Sequence, residues 1–144
     1  VAAVYFDSSA LVKLLISEAE SDVASEVWDG CDAPVASRLA YPEVCAALAA
    51  AQRNGLITIS ECEEAAAAWE MFWGAVRQIE LSAEVARSAG RLARDLGLRG
   101  ADAVHLASAL ELGMDDLVIA VWDRQLHTAS LAAGLRVVPA VLTN

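Results

Sequence analysis

Leu117-Val118-Ile119-Ala120-Val121, with Trp122-Asp123 directly behind it, is the clearest buried strand in the chain and decides the architecture. A continuous apolar run of this length, bounded by polar residues, fits a strand covered on both faces. A helix follows at about Arg124–Ala133, stopped by Gly134, and Arg136-Val137-Val138 closes as a last strand. The same order stands at the beginning. Val1–Phe6 reads as a short buried strand ending at Asp7-Ser8-Ser9, and Leu11, Val12, Leu14 and Leu15 form a helical stripe with Ser8 or Ser9 as its N-cap.

Between these ends the pattern repeats. A helix is expected over about Ser21–Trp28, a strand over Ala33–Ser37, and a long helix from about Leu39 to Asn54, stopped at Asn54-Gly55. Ser60-Glu61-Cys62-Glu63 has the Ser-x-x-Glu spacing of a capping box and opens a helix running to about Trp73. Val76–Leu81 reads as a strand, Ala83–Leu96 as a helix stopped by Gly97, and Asp102–Leu112 as a helix stopped by Gly113. Short apolar strands alternating with helices predict an α/β fold with a parallel sheet covered on both faces. In such sheets ligands bind beyond the carboxyl ends of the strands, near the point where the strand order reverses.

Composition supports one domain. The chain has 144 residues, 57% hydrophobic, and a mean hydropathy of +0.44, enough for a single core. No apolar run approaches the roughly 20 residues that span a bilayer. The opening residues lack the basic flank of a signal peptide, so a cytoplasmic location is expected. Cys31, Cys45 and Cys62 are odd in number and without Cys-x-x-Cys spacing, which disfavours a zinc site or disulfide framework. Twenty acidic residues stand against ten basic ones, a net charge of −10. That balance argues against a general nucleic-acid binder and favours basic partners. It leaves open RNA processing in which divalent cations and a few arginines offset the repulsion locally.

The chemistry-bearing residues are carboxylates. Asp7 follows the first strand and Asp123 the Leu117–Val121 strand; Asp102 opens a helix after Arg99-Gly100-Ala101, and Glu43 lies in the first turns of the helix after Ala33–Ser37. All four are expected near helix N-termini facing one sheet edge. Each alone is explained as an N-cap or first-turn acid. Together they would repel one another and raise each other's pKa unless a cation neutralised them. Hard oxygen donors of this kind suit Mg²⁺ or Mn²⁺, ions that activate water and stabilise an in-line phosphoryl displacement.

Three blocks now carry a resemblance: Asp7-Ser8-Ser9-Ala10-Leu11-Val12-Lys13-Leu14, Ala101-Asp102-Ala103-Val104-His105-Leu106-Ala107-Ser108-Ala109, and Trp122-Asp123-Arg124-Gln125-Leu126-His127-Thr128-Ala129. With the closing Ala132-Ala133-Gly134-Leu135-Arg136-Val137, they resemble PIN-domain proteins, above all the VapC-type ribonuclease toxins of prokaryotic toxin–antitoxin pairs. The likeness spans nearly the whole chain in the right order. It implies that residues 1–144 form one PIN-like nuclease domain, a three-layer α/β/α sandwich with a five-stranded parallel sheet. It further implies a Mg²⁺-dependent endoribonuclease (Mn²⁺ being possible) leaving a 5′-phosphate and a 3′-hydroxyl. Asp7 and Asp102 would be principal metal ligands, and Glu43 and Asp123 would complete the acidic quartet, Asp123 also touching metal. Tyr41-Pro42-Glu43-Val44 is a short match, so Glu18, Glu20 and Glu26 stay open as the fourth acid. The family often carries Thr or Ser two residues before its final Asp; here Val121 stands there. The implied partners are RNA, a cognate antitoxin and a second copy of the chain, with no membrane.

Other features have two readings. His105, three residues after Asp102, is either packed in an apolar helix or a metal or base group; His127 is expected on the surface. Arg87, Arg91 and Arg94 form one helical stripe, with Arg99 just before Asp102. They read as a solvated face paired with Glu84 and Asp95, or, for Arg91 and Arg99, as a phosphate-guiding rim. Trp69, Phe72 and Trp73 share a helical face beside Met71, fit for core packing or for an antitoxin groove. Competing functions are a phosphoacceptor receiver, disfavoured because the only lysine, Lys13, lies in the first helix, and an Asp-x-Asp phosphatase, disfavoured because Ser8-Ser9 follow Asp7. A non-catalytic acidic binding module, a DNA nuclease, and an RNA-processing nuclease without an antitoxin also remain.

Overall fold

A computed structural model describes residues 3–143; Val1, Ala2 and Asn144 lie outside the described residues. In chain order the elements are β1 (Ala3–Phe6), α1 (Ser8–Lys13), α2 (Ser21–Gly30), β2 (Ala33–Ser37), α3 (Ala40–Arg53), α4 (Ile59–Ala75), β3 (Arg77–Ile79), α5 (Ala83–Leu96), α6 (Gly100–Glu111), β4 (Val118–Ala120), α7 (Arg124–Ala132) and β5 (Arg136–Val138). All strand pairs are parallel and the sheet order is β3-β2-β1-β4-β5. The expected five-stranded parallel sheet between helical layers is therefore present.

The central strand β1 shows why. All four of its residues are buried, and alternation sends Tyr5 to one face and Val4 and Phe6 to the other. Tyr5 joins Val35 and Ile119 beneath Val85 of α5, Leu106 of α6 and Leu126 of α7. Val4 and Phe6 join Ala36 and Ala120 beneath Leu11 of α1, Val44 and Leu48 of α3, and Trp69 and Trp73 of α4. Each large apolar side chain so enclosed stabilises the fold by about 1.5–3 kcal/mol. Most of the tryptophan face of α4 is thus core, while Met71 is 82% exposed.

Caps differ in place from the expected ones. Asp7, not Ser8 or Ser9, caps α1, accepting from the Ala10 N–H at 2.9 Å. Thr58 and Glu61, rather than Ser60 and Glu63, form the capping box of α4. Both tetrads satisfy the same spacing rule, but the extended backbone of Thr58 places the helix start two residues earlier. His127 is another correction, being 5% exposed. Its Nε2–H donates to the Pro139 carbonyl at 2.7 Å, so burial leaves no polar atom stranded there and ties α7 to the segment after β5. Among the described residues no helix is long and apolar enough to cross a membrane.

The chain runs β1, β2, β3 in one direction across the sheet, then crosses back to place β4 on the other flank of β1. The reversal lies between β1 and β4, and Asp7 and Asp123 follow these two strands. There the Asp7 N–H donates to the Ala120 carbonyl at 3.2 Å.

Candidate active site

Asp7 is 3% exposed at the start of α1. Ser9 Oγ stands 2.7 and 2.8 Å from its two carboxylate oxygens. Burial pushes the Asp7 carboxyl up to about 6; Ser9, His105 and the Ala10 N–H pull the other way, and the Asp123 charge adds to the rise. Asp123 caps α7 through the Leu126 N–H at 3.0 Å. Asp102 sits in the first turn of α6, its pKa raised by burial and then by Asp123, against the pull of Arg99. Asp7, Asp102 and Asp123 therefore share one electrostatic neighbourhood, although each also serves its helix.

A cation already spans part of this cluster. Arg99 lies 3.1 Å from Asp102 Oδ2 and 3.2 Å from Asp123 Oδ1. Its side chain is 70% exposed, whereas that of Asp102 is 13% exposed. Arg91 does not join it: the side chain is exposed on α5 and makes no ion pair among the described residues. The expected pairing of the arginine stripe with Glu84 and Asp95 is likewise absent among the described residues.

Glu43, in the first turn of α3, faces a different set of partners. Ser8 Oγ donates to its Oε1 at 2.6 Å, and His105 Nε2 stands 2.5 Å from the same oxygen. Burial would raise the Glu43 pKa, but the His105 hydrogen bond and charge, with Ser8, outweigh it and hold the carboxyl below its usual value. Glu20 is engaged elsewhere, accepting from Trp122 Nε1 at 2.6 Å, and Glu18 pairs with Lys13 at 3.2 Å.

The residues that sequence reasoning underrated are Ser8, Ser9, Tyr5 and His105. Their signal was adjacency: serines directly after Asp7, and a histidine one turn after Asp102. Val121, where the resemblance would have a hydroxyl, is fully buried in the apolar layer. Its place as a polar link is taken by Ser9, whose Oγ also accepts from the Trp122 N–H at 3.1 Å.

In kind, the donors fit a hard divalent cation: they are carboxylate oxygens, those of Asp7 and Asp102 with pKa values raised first by burial and further by the Asp123 charge, and an arginine lies across Asp102 and Asp123. In arrangement, no three of the described His, Cys, Asp or Glu side chains are gathered as a ready-made ion cluster.

Comparison with known proteins points the same way. The sequence model of the PIN domain family matches residues 4–129. Ribonuclease VapC49 of Mycobacterium tuberculosis is 63% identical over 139 residues, 96% of either chain. Among solved structures, the sarcin–ricin loop cleaving toxin VapC20 of Mycobacterium tuberculosis superposes with a TM-score of 0.67 at 19% identity, covering 97% of this chain and 99% of that one. A toxin–antitoxin complex from Klebsiella pneumoniae gives 0.67 at 20% identity, covering 97% and 99%.

Proposed function

The chain belongs to the PIN-domain family, and from that premise we propose that it is a divalent-metal-dependent endoribonuclease, the toxin of a VapBC-type toxin–antitoxin pair. What supports the reading is that Asp7 and Asp123 follow the two strands that flank the switch point, that Arg99 ties Asp123 to Asp102, and that the Asp123 charge acts on both other acids. The named relative at 63% identity is a ribonuclease, which supports RNA as substrate.

Asp7, Asp102 and Asp123 would hold Mg²⁺ or Mn²⁺. Bound there, such an ion supplies positive charge against the phosphate and lowers the pKa of water. Glu43, held ionised by its partners, would offer Oε2 to position the ion's waters, the attacking one among them, and so help to hold the ion as well. Arg99 exchanges its two carboxylate partners for a substrate phosphate. Cleavage then leaves a 5′-phosphate and a 3′-hydroxyl. Asp7→Asn or Asp102→Asn is expected to lower cleavage on the order of 100- to 1000-fold, the rate equivalent of several kcal/mol. Sequencing RNA ends after induced expression of wild type and Asp7→Asn is the test. Undiminished cleavage by the variant, or full activity in excess EDTA, would sink the reading.

The partner surface follows α4. A groove of about 350 Å³ is lined by Leu14, Leu15, Leu56, Ala65 and Ala68, with Glu61 and Glu64 at its rim. A second apolar hollow continues past Ala68 to Trp28, Met71 and Phe72. An antitoxin segment with an apolar face and flanking basic residues suits both shape and charge. Unchanged amide-exchange protection of α4 on adding the cognate antitoxin would count against it. A homodimer in the cytoplasm belongs to the same reading. Leu96, Leu110 and Leu131 leave apolar surface exposed for a second copy, and sedimentation equilibrium decides the stoichiometry.

A further inference from the structure

We infer that His105 is a positioning residue, which fixes the Glu43 carboxylate through a directed hydrogen-bond chain anchored on the sheet. This rests on the nuclease reading of Glu43. The direction follows from donors and acceptors. The Ser37 N–H can only donate, and it meets the Tyr5 hydroxyl at 3.1 Å. At the other end the ionised Glu43 carboxylate can only accept, so in the neutral ring Nε2 carries the proton and Nδ1 accepts the Tyr5 O–H, 2.8 Å away. The Nε2–H is aimed at Glu43 Oε1, 2.5 Å away. Ser8 donates to the same oxygen. Both bonds end on Oε1, so Oε2 is left without a protein donor among the described residues.

Each link is rigid. Tyr5 lies in the central strand β1, Ser37 ends β2, and His105 stands on the second turn of α6. The His105 side chain is 3% exposed, so it does not reach RNA, and the carboxylate it hydrogen-bonds is that of Glu43. Tyr5 and His105 also meet edge to face, with ring centroids 6.0 Å apart. The Glu43 carboxylate on α3 is thereby held by groups from two strands and two further helices, a supporting shell of the kind that commonly sets activity at metal sites.

Three measurements on the full chain test this. Long-range ¹H–¹⁵N correlation of the EDTA-treated protein at about pH 8, above the ordinary imidazole range, is expected to show the His105 Nε2–H tautomer. An Nδ1–H or doubly protonated ring overturns the chain as drawn. His105→Ala is expected to lower kcat on a random-sequence single-stranded RNA pool, and to weaken Mn²⁺ binding read by electron paramagnetic resonance, by about 10- to 100-fold, with KM for RNA unchanged. His105→Gln, whose amide reaches the Nε2 position, is expected to restore most of both, and His105→Asn, which reaches only the Nδ1 position, little. If the alanine variant does not fold, the Gln and Asn pair decides, and equal impairment of the two overturns the proposal. A wild type that fails to cleave the pool with divalent ions present, or cleaves it without them, removes the metal-dependent nuclease reading instead; the Mn²⁺ affinities of the same variants then still judge His105.

Discussion

Asp7 carries two burdens in one side chain. It caps α1, and it is a carboxylate almost wholly removed from water. Its folded pKa, about 6, lies above the ordinary value of 3.8. The ionised form is therefore penalised by the fold: the cost is absent below about pH 4, grows as pH rises, and is complete above about pH 6. A shift of this size corresponds to about 1–3 kcal/mol. Asn at this position keeps an oxygen for the Ala10 N–H and has no charge to bury. In EDTA, Asp7→Asn is expected to raise the urea midpoint at about pH 7.5 and to lose that advantage near pH 4; equal gains at both values would contradict it. Arg99 makes a second residue-scale prediction. Arg99→Ala is expected to lower the salt dependence of RNA binding by about 0.7 in log–log slope, one phosphate contact, while Arg91→Ala leaves it unchanged. At this scale the acids were legible in the sequence, because a strand-to-helix junction announces its position. The tie between Glu43 and His105 was not: the two stand 62 residues apart, and nothing local distinguishes a histidine packed among leucines from one that grips a carboxylate.

Elements follow local rules that sometimes have two solutions. The α4 start is the example: Thr58-Ile59-Ser60-Glu61 and Ser60-Glu61-Cys62-Glu63 carry the same capping pattern, and the earlier one forms. Thr58 Oγ1 accepts from the Glu61 N–H at 3.0 Å, and Glu61 Oε1 accepts from the Thr58 N–H at 2.9 Å. Thr58→Ala is expected to cost about 1 kcal/mol, seen as a lower urea midpoint, whereas Ser60→Ala changes it little. The reverse ranking would mean that the later box governs the helix. Glycine stops were read more securely, since Gly97 ends α5 at φ 67°, a left-handed conformation that disfavours side chains. Two strands, Arg77–Ile79 and Val118–Ala120, are shorter than the stretches that announce them, while Ala33–Ser37 and Arg136–Val138 agree to the residue. Leu117 and Val121 are buried but flank a ladder of only Val118–Ala120, because an apolar run records burial rather than pairing.

At the scale of the whole molecule, the acids gather where folding alone gives them little reward. The chain carries a net charge of −10; Asp7 and Asp123 follow neighbouring strands, and among the described residues Arg99 alone bridges Asp123 to Asp102 at the start of α6. A ligand that binds the folded state and not the unfolded chain stabilises it by linkage, about 2.7 kcal/mol when present at about 100 times its Kd. For a chain of this size that is about 5–10 °C in Tm. Mg²⁺ or Mn²⁺ is therefore expected to raise Tm by several degrees beyond sodium chloride of equal ionic strength. The increment is expected to vanish in Asp102→Asn and to persist in Arg91→Ala. Simple screening relaxes repulsion over the whole surface, so it would raise Tm equally with either salt and in every variant. A specific ion answers to the acids at the switch point alone. Calorimetric scans of the three proteins in the two salts separate these cases, and equal shifts throughout would leave the carboxylates as helix caps that happen to lie close together.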